Sequence, residues 1–127
     1  TGWGATVIQL GAHNEKSIAS AINLAGCQDI RRSMAIMKEA DVHVGVVSSL
    51  MHGAEAVRTP AIILYGGFED YRMHQYKMIT PLSAAIDCAP CIEPNTHIEN
   101  CPNDKRCMKE ITPDMVFEYI EKIFKKK

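Results

Sequence analysis

Residues 43–67 read HVGVVSSLMHGAEAVRTPAIILYGG, and they decide the fold because they hold a strand, a polar turn, a short helix and a second strand. The first strand, Val44 to Val47, is apolar and β-branched apart from one glycine. That pattern is typical of a strand buried on both faces of a parallel sheet. The second strand, Ala61 to Tyr65, follows Thr59-Pro60. We therefore expect the carboxyl ends of both strands to open onto one crevice.

A polar turn, Ser48-Ser49, separates the first strand from the helix. A serine at this position can cap the helix with its hydroxyl, and the backbone N–H groups of the first helical turn point beyond the sheet edge. Phosphate is the ligand most often bound at such a helix terminus. The residues themselves therefore predict a nucleotide-type ligand at this turn.

Other strands and helices flank this stretch. Strands are predicted over residues 5–10 and 21–24, and Asp29 is the expected N-cap of an amphipathic helix. A last helix is predicted over 113–124, with a threonine N-cap and a proline at its first position. Residues 67–87 show no clear pattern. The alternation of strand and helix predicts an α/β fold with a mostly parallel sheet.

The composition excludes several classes of protein. The chain has 127 residues, of which 46% are hydrophobic and 23% charged, which fits one globular domain and argues against disorder or a membrane span. A net charge of −1 argues against a general nucleic-acid binder. Only Lys122 to Lys127 is locally basic. This tail is interpreted as a solvated helix end, with weak peripheral attraction to anionic lipid as the alternative.

These residues carry a resemblance to a known family. The block VGVVSSLMHGAEAVRTPAIILYGG, preceded by INLAGCQDIRRSMAIMKEAD and followed by CAPC and CMKEITPDMV, resembles the C-terminal half of a family-nine glycosyltransferase. This family includes the ADP-heptose:lipopolysaccharide heptosyltransferases. The resemblance implies that residues 1–127 form a Rossmann-like three-layer domain, the donor-binding half of a GT-B enzyme. The sequence itself places a Cys-rich loop at 88–107.

The resemblance implies a function for the longer protein. Such enzymes transfer a sugar with inversion, using a base from the N-terminal domain, so no catalytic residue and no catalytic metal are expected here. Residues 1–6, TGWGAT, do not resemble a signal peptide and indicate an entry point within a longer chain. The chain alone is expected to bind a nucleotide-sugar donor without turnover. The acceptor would be a glycan or protein, and the expected location is the cytoplasm or the inner membrane surface.

The family's donor contacts can be carried over to this sequence. The backbone of Ser48, Ser49 and Leu50 matches the segment that binds the donor diphosphate, in agreement with the helix-terminus argument. His52 matches a histidine that could orient this turn, and the alternative is a core histidine bonded to a backbone carbonyl. Glu15 matches a carboxylate that binds ribose hydroxyls. Its alternative is a solvated loop charge.

The base of the nucleotide is expected at Cys27-Gln28, so Gln28 completes the predicted donor contacts. The chain departs from the family pattern just before the turn. Val47 stands where the family commonly has an acidic residue that reaches the donor sugar, and Ser49 stands where it has glycine. A valine cannot replace those hydrogen bonds, so the identity of the sugar stays open.

Four of the five cysteines form a second candidate site, with the spacing Cys88-x₂-Cys91-x₉-Cys101-x₅-Cys107. Four thiolates can enclose a tetrahedral zinc or a single iron, and some bacterial family members that glycosylate proteins hold iron in an equivalent finger. Reduced structural thiols, two disulfides and a CAPC redox pair are the alternatives. A second function also stays open, in which a metal finger on a Rossmann scaffold serves as a non-catalytic binding or assembly module.

Overall fold

The computed structural model describes residues 4–67, 69–84, 86–88 and 101–126. The chain divides into two compact units, a first unit of residues 1–36 and a second unit of residues 37–127.

The first unit holds a small parallel sheet made of β1 (Ile8–Gln9) and β2 (Ile22–Asn23). Both predicted strands are present but shorter than expected. The loop between them is fastened by the buried side chain of Gln9, whose Nε2 donates to the Lys16 carbonyl at 2.9 Å. Its Oε1 accepts the N–H of Ile18 at 2.8 Å. One amide side chain therefore organises the connection between two strands that make few backbone contacts.

The amphipathic helix α1 spans Ile30–Glu39. Asp29 caps it as predicted, since its Oδ1 accepts the N–H of Arg32 at 2.8 Å. The C-terminal part of the helix contributes Met37, which is 1% exposed.

The second unit contains a three-stranded parallel sheet, in which β3 (His43–Val46), β4 (Ala61–Tyr65) and β5 (Ile79–Ser83) lie in that order. Helix α2 (Ser49–Val57) connects β3 to β4. The central strand β4 forms the core, with Ala61, Ile62 and Ile63 fully buried. The predicted α/β class with parallel strands is confirmed, and these strands form two small sheets.

The prediction that the first strand of the opening stretch is buried on both faces is wrong. Val44 is 41% exposed and Val46 is 50% exposed, whereas His43 and Gly45 are half-buried. Side chains alternate between the two faces of a strand, so within the described part of the chain the face that carries His43 and Gly45 is covered and the opposite face is not. An apolar run alone could not distinguish one covered face from two.

Strand β5 was not predicted, because Pro81 lies within it and pairs with Ile63. Proline is tolerated in an outer strand, where its missing N–H faces away from the neighbouring strand. The start of β5 is held by Glu55 of α2, whose carboxylate accepts the N–H of Met78 at 2.8 Å and of Lys77 at 3.2 Å. A contact distant in sequence thus determines where this strand begins.

The chain ends with the short helix α3 (Arg106–Lys109) and with α4 (Pro113–Lys125). Thr112 caps α4 as predicted, because its hydroxyl accepts the N–H of Met115 at 3.3 Å. Among the described residues, no helix combines the length and the apolar character that crossing a membrane requires.

Candidate functional site

Two clefts lie at the carboxyl ends of the strands of the second unit. The smaller, of about 160 Å³, is lined where β3 and β4 end. The larger, of about 310 Å³, is lined by the last residues of β4 and β5, by residues that follow these strands, and by Cys107 of α3. Gly66 and Glu69 line both clefts. The predicted crevice between the two strand ends is therefore present, because Val46, Val47 and Leu64 lie together in the smaller cleft.

The polar turn lies where β3 gives way to α2. Ser48 occupies the N-cap position with a fully extended backbone, φ −163° and ψ 177°, and its hydroxyl accepts no hydrogen bond from the helix. Ser48 therefore does not form the hydroxyl cap that the sequence suggested. The N–H groups of Ser49 and Leu50 have no acceptor within the helix. Neither cleft is lined by these three residues, but Val47, which precedes them, lines the smaller one.

His52 is exposed, so the alternative of a core histidine bonded to a backbone carbonyl is wrong. Its Nδ1 lies 2.7 Å from the hydroxyl oxygen of Tyr76, and the two rings meet edge to face at 84°. The ring of His74 lies 5.6 Å from that of His52. Tyr76 lies in the stretch without a clear sequence pattern, and nothing in the sequence pointed to its pairing with His52.

The two predicted donor contacts of the first unit lie on neighbouring loops. The exposed carboxylate of Glu15 accepts the N–H of Ala12 at 3.0 Å and folds back against Gly11. A Cβ at Gly11 would lie 2.5 Å from a Glu15 oxygen, and the φ of 147° there also favours glycine. The N–H of Gly26 donates to the Gly11 carbonyl at 2.8 Å. The loop of Glu15 therefore lies beside the turn that precedes the half-buried Gln28.

The loop after β4 brings charged side chains to the clefts. Asp70 caps a single 3₁₀ turn, Tyr71–Met73, by accepting the N–H of Arg72 at 2.9 Å. The Arg72 Nε also donates to both Asp70 oxygens at 2.9 Å. The side-chain hydrogen bond from Arg72, followed by the backbone one, lowers the pKa of Asp70 to about 2. These residues were missed, although contacts to ligands are common after the end of a parallel strand.

Glu69 is half-buried and, in the described part of the chain, has no hydrogen-bond or ion-pair partner. It lies close to the buried Tyr65, the last residue of β4. Burial raises the pKa of the Tyr65 hydroxyl, and the negative charge of Glu69 raises it further. The carboxylate of Glu69 therefore lies where the two clefts meet, without an ion-pair partner among the described residues.

Three of the four clustered cysteines, Cys88, Cys101 and Cys107, are half-buried free thiols. The N–H of Lys105 donates to the Cys101 sulfur at 3.3 Å. Cys91 and most of the 88–107 loop lie outside the described residues, and within the described ranges no group of three possible ligands could hold a metal ion. Cys27 is exposed and lies in the other unit.

Comparisons with known proteins identify the family. No curated protein and no solved structure matches the chain. The family model described as glycosyltransferase family 9 (heptosyltransferase) matches residues 5–101, well over half of the sequence. The match includes both small parallel sheets, the polar turn and the loop between the clefts. The chain therefore belongs to glycosyltransferase family 9.

Proposed function

We propose that this chain is the donor-binding part of its glycosyltransferase and that it binds the diphosphate of a nucleotide-sugar at the turn Ser48–Leu50. The observation that carries the proposal is the open first turn of α2. The Ser48 hydroxyl does not occupy the helix N-terminus, so the N–H groups of Ser49 and Leu50 are available to an anion. The turn also follows the carboxyl end of a parallel strand, where α/β proteins bind ligands.

The remaining donor contacts follow from the same proposal. If the Tyr76 hydroxyl donates to Nδ1 of His52, the ring carries its proton on Nε2 and can donate it to a phosphate oxygen. Glu15 would accept hydrogen bonds from the ribose hydroxyls, and Gln28 would contact the base. An ADP-heptose-like donor fits the family. The sugar would pass with inversion to a glycan or protein acceptor held by the N-terminal half of the enzyme.

We also propose that Cys88, Cys91, Cys101 and Cys107 hold a structural zinc or iron. The hydrogen bond from the Lys105 N–H to the Cys101 sulfur supports this, because such bonds stabilise a thiolate in a metal site. A metal there would stabilise a segment whose sequence offers few apolar residues for a core of its own.

Titration of ADP, UDP and GDP into the chain by calorimetry tests the donor proposal, with ADP expected to bind best. The variant Ser49→Pro tests the turn directly. Ser49 is the first helical residue, a position that tolerates proline, and Ser48 already has the extended backbone that favours a following proline. It removes one N–H and should weaken nucleotide binding about tenfold. Ser49→Ala keeps the N–H and should bind normally.

Two results would contradict the donor proposal. If the folded chain binds none of the three nucleotides, the donor function fails, and a metal-finger assembly module becomes the better interpretation. If nucleotide binds equally well to Ser49→Pro and to Ser49→Ala, the turn is not the phosphate site.

A further inference from the structure

His52 and Tyr76 meet beside the open first turn of α2. In an α-helix each side chain leans towards the N-terminus, so a residue covers the turn that precedes its own Cα. His52 follows Ser49 by three positions and Ser48 by four, and the helix therefore directs its side chain towards the turn at Ser48–Leu50. Its Nδ1 lies 2.7 Å from the Tyr76 hydroxyl, which leaves Nε2 for another group.

Glu55 determines where Tyr76 lies. Glu55 follows His52 by one helical turn, so both side chains project from the same side of α2. The Glu55 carboxylate accepts the N–H groups of Lys77 and Met78, the two residues that follow Tyr76. The backbone after Tyr76 is therefore fastened to the helix one turn away from the histidine, and the tyrosine hydroxyl is brought to the imidazole.

The ring of His74 connects this pair to the core. It lies 5.6 Å from the ring of His52 and 6.2 Å from the ring of Tyr76. It also lies 6.3 Å from the ring of Tyr65, the buried last residue of β4. Aromatic rings at such separations attract one another. The buried Tyr65 thus supports, through His74, a histidine whose own side chain is exposed.

The chemistry of the two partners favours one direction for the hydrogen bond between them. An imidazole nitrogen is a stronger base than a phenol oxygen, so the Tyr76 hydroxyl is the favoured donor and Nδ1 of His52 the acceptor. A neutral imidazole then carries its single proton on Nε2, which becomes an N–H donor. Without the hydroxyl, the exposed ring could turn about its last bond or carry its proton on Nδ1. Either change would take the N–H donor away from its place.

We propose that Tyr76 is a positioning residue, which holds His52 with its Nε2–H towards the turn and so makes this histidine a donor to the diphosphate. The inference rests on the proposed function, since the turn must bind the diphosphate. Tyr76 does not touch the ligand and acts only through His52.

A double-mutant cycle with ADP, measured by calorimetry, tests whether Tyr76 acts through His52. Tyr76→Phe and His52→Ala should each weaken ADP binding about fivefold, because each removes the positioned donor. The double variant should bind ADP no more weakly than His52→Ala alone. Tyr119→Phe is the matched control, since it removes a tyrosine hydroxyl of α4 that lines neither cleft, and it should bind ADP normally.

A second measurement locates the proton in the unaltered chain. At alkaline pH, where imidazole is neutral, nitrogen-15 NMR of His52 should show a protonated Nε2 and an unprotonated, hydrogen-bonded Nδ1. Addition of ADP should shift the Nε2 resonance, whereas adenosine, which has no phosphate, should not. In Tyr76→Phe, the Nδ1 resonance should lose the shift that its hydrogen bond causes.

The results separate this inference from the proposed function. If the folded chain binds no nucleotide, the proposed function fails and the positioning role of Tyr76 fails with it. If ADP binds but the proton of His52 lies on Nδ1, only the positioning role is overturned. The same conclusion follows if Tyr76→Phe weakens ADP binding as much in the His52→Ala variant as in the unaltered chain.

Discussion

At the scale of single residues, His43 shows how burial makes stability depend on pH. Its Nε2 is buried and, among the described residues, has no hydrogen-bond partner. Burial lowers the pKa of His43 below its ordinary value of 6.5. The unfolded chain therefore binds a proton near pH 6.5 while the folded chain does not, so stability is fully present above that pH and declines as the pH falls below it.

We expect the urea concentration at the unfolding midpoint to decrease when the pH is lowered from 7.5 to 5.5. This decrease should be smaller in the variant His43→Asn. His13→Asn makes the same substitution at an exposed position and is the matched control. An equal pH dependence in the unaltered chain and in His43→Asn would show that another group titrates.

Some single residues were predictable because their roles are local. Asp29 and Thr112 cap the helices that begin directly after them, and both caps were inferred from residue type and position. Ser48 has the same residue type and position, yet its hydroxyl does not cap. Thr112 also has an extended backbone, so neither residue type nor an extended conformation alone determines whether a hydroxyl caps its helix.

At the scale of elements, Glu55 ties α2 to the start of β5. Glu55→Ala should lower the free energy of unfolding by about 2 kcal/mol, because two backbone N–H groups lose a charged acceptor. Urea denaturation measures this loss. Glu39→Ala makes the same change at an exposed helical position and should alter stability by less than about 0.5 kcal/mol. Similar losses in both variants would mean that the Glu55 hydrogen bonds do not stabilise the fold.

Some helices and strands are determined by the residues within them, and others depend on contacts with distant residues. Strand β4 was predicted with its exact bounds, because its uninterrupted apolar run has the length of a buried strand. Strand β5 was missed, because Pro81 argues against a strand and its anchor, Glu55, lies more than twenty residues earlier. Local patterns cannot reveal an element that depends on such a contact.

At the scale of the whole molecule, the proposed metal site draws on four cysteines that lie in sequence between β5 and α4. We expect the purified chain to contain about one equivalent of zinc or iron, and Cys101→Ser to lose most of it. Cys27→Ser is the control, since Cys27 is exposed and lies in the first unit. Elemental analysis of the reduced, folded chain decides the matter. Less than about a tenth of an equivalent would indicate plain thiols.

In the second unit, the sequence pointed to candidate-site residues only where they are contiguous in sequence. The turn at Ser48–Leu50 and His52 follow one strand, so a short motif contains them all. Glu69, Arg72 and Tyr76 lie in a loop without periodicity, and their positions depend on how β4 and β5 pair. Such residues can be recognised as candidate-site residues only once the pairing of the strands is known.

Pro81 has a consequence for how the molecule meets other chains. An outer strand offers backbone N–H and C=O groups to any strand that can pair with it, and this is a common start of aggregation. Proline in β5, which is an outer strand of the sheet that the described residues form, offers one N–H fewer at the centre of the strand. Pro81, which argued against a strand in the sequence, thus also makes it less favourable for another strand to pair with β5.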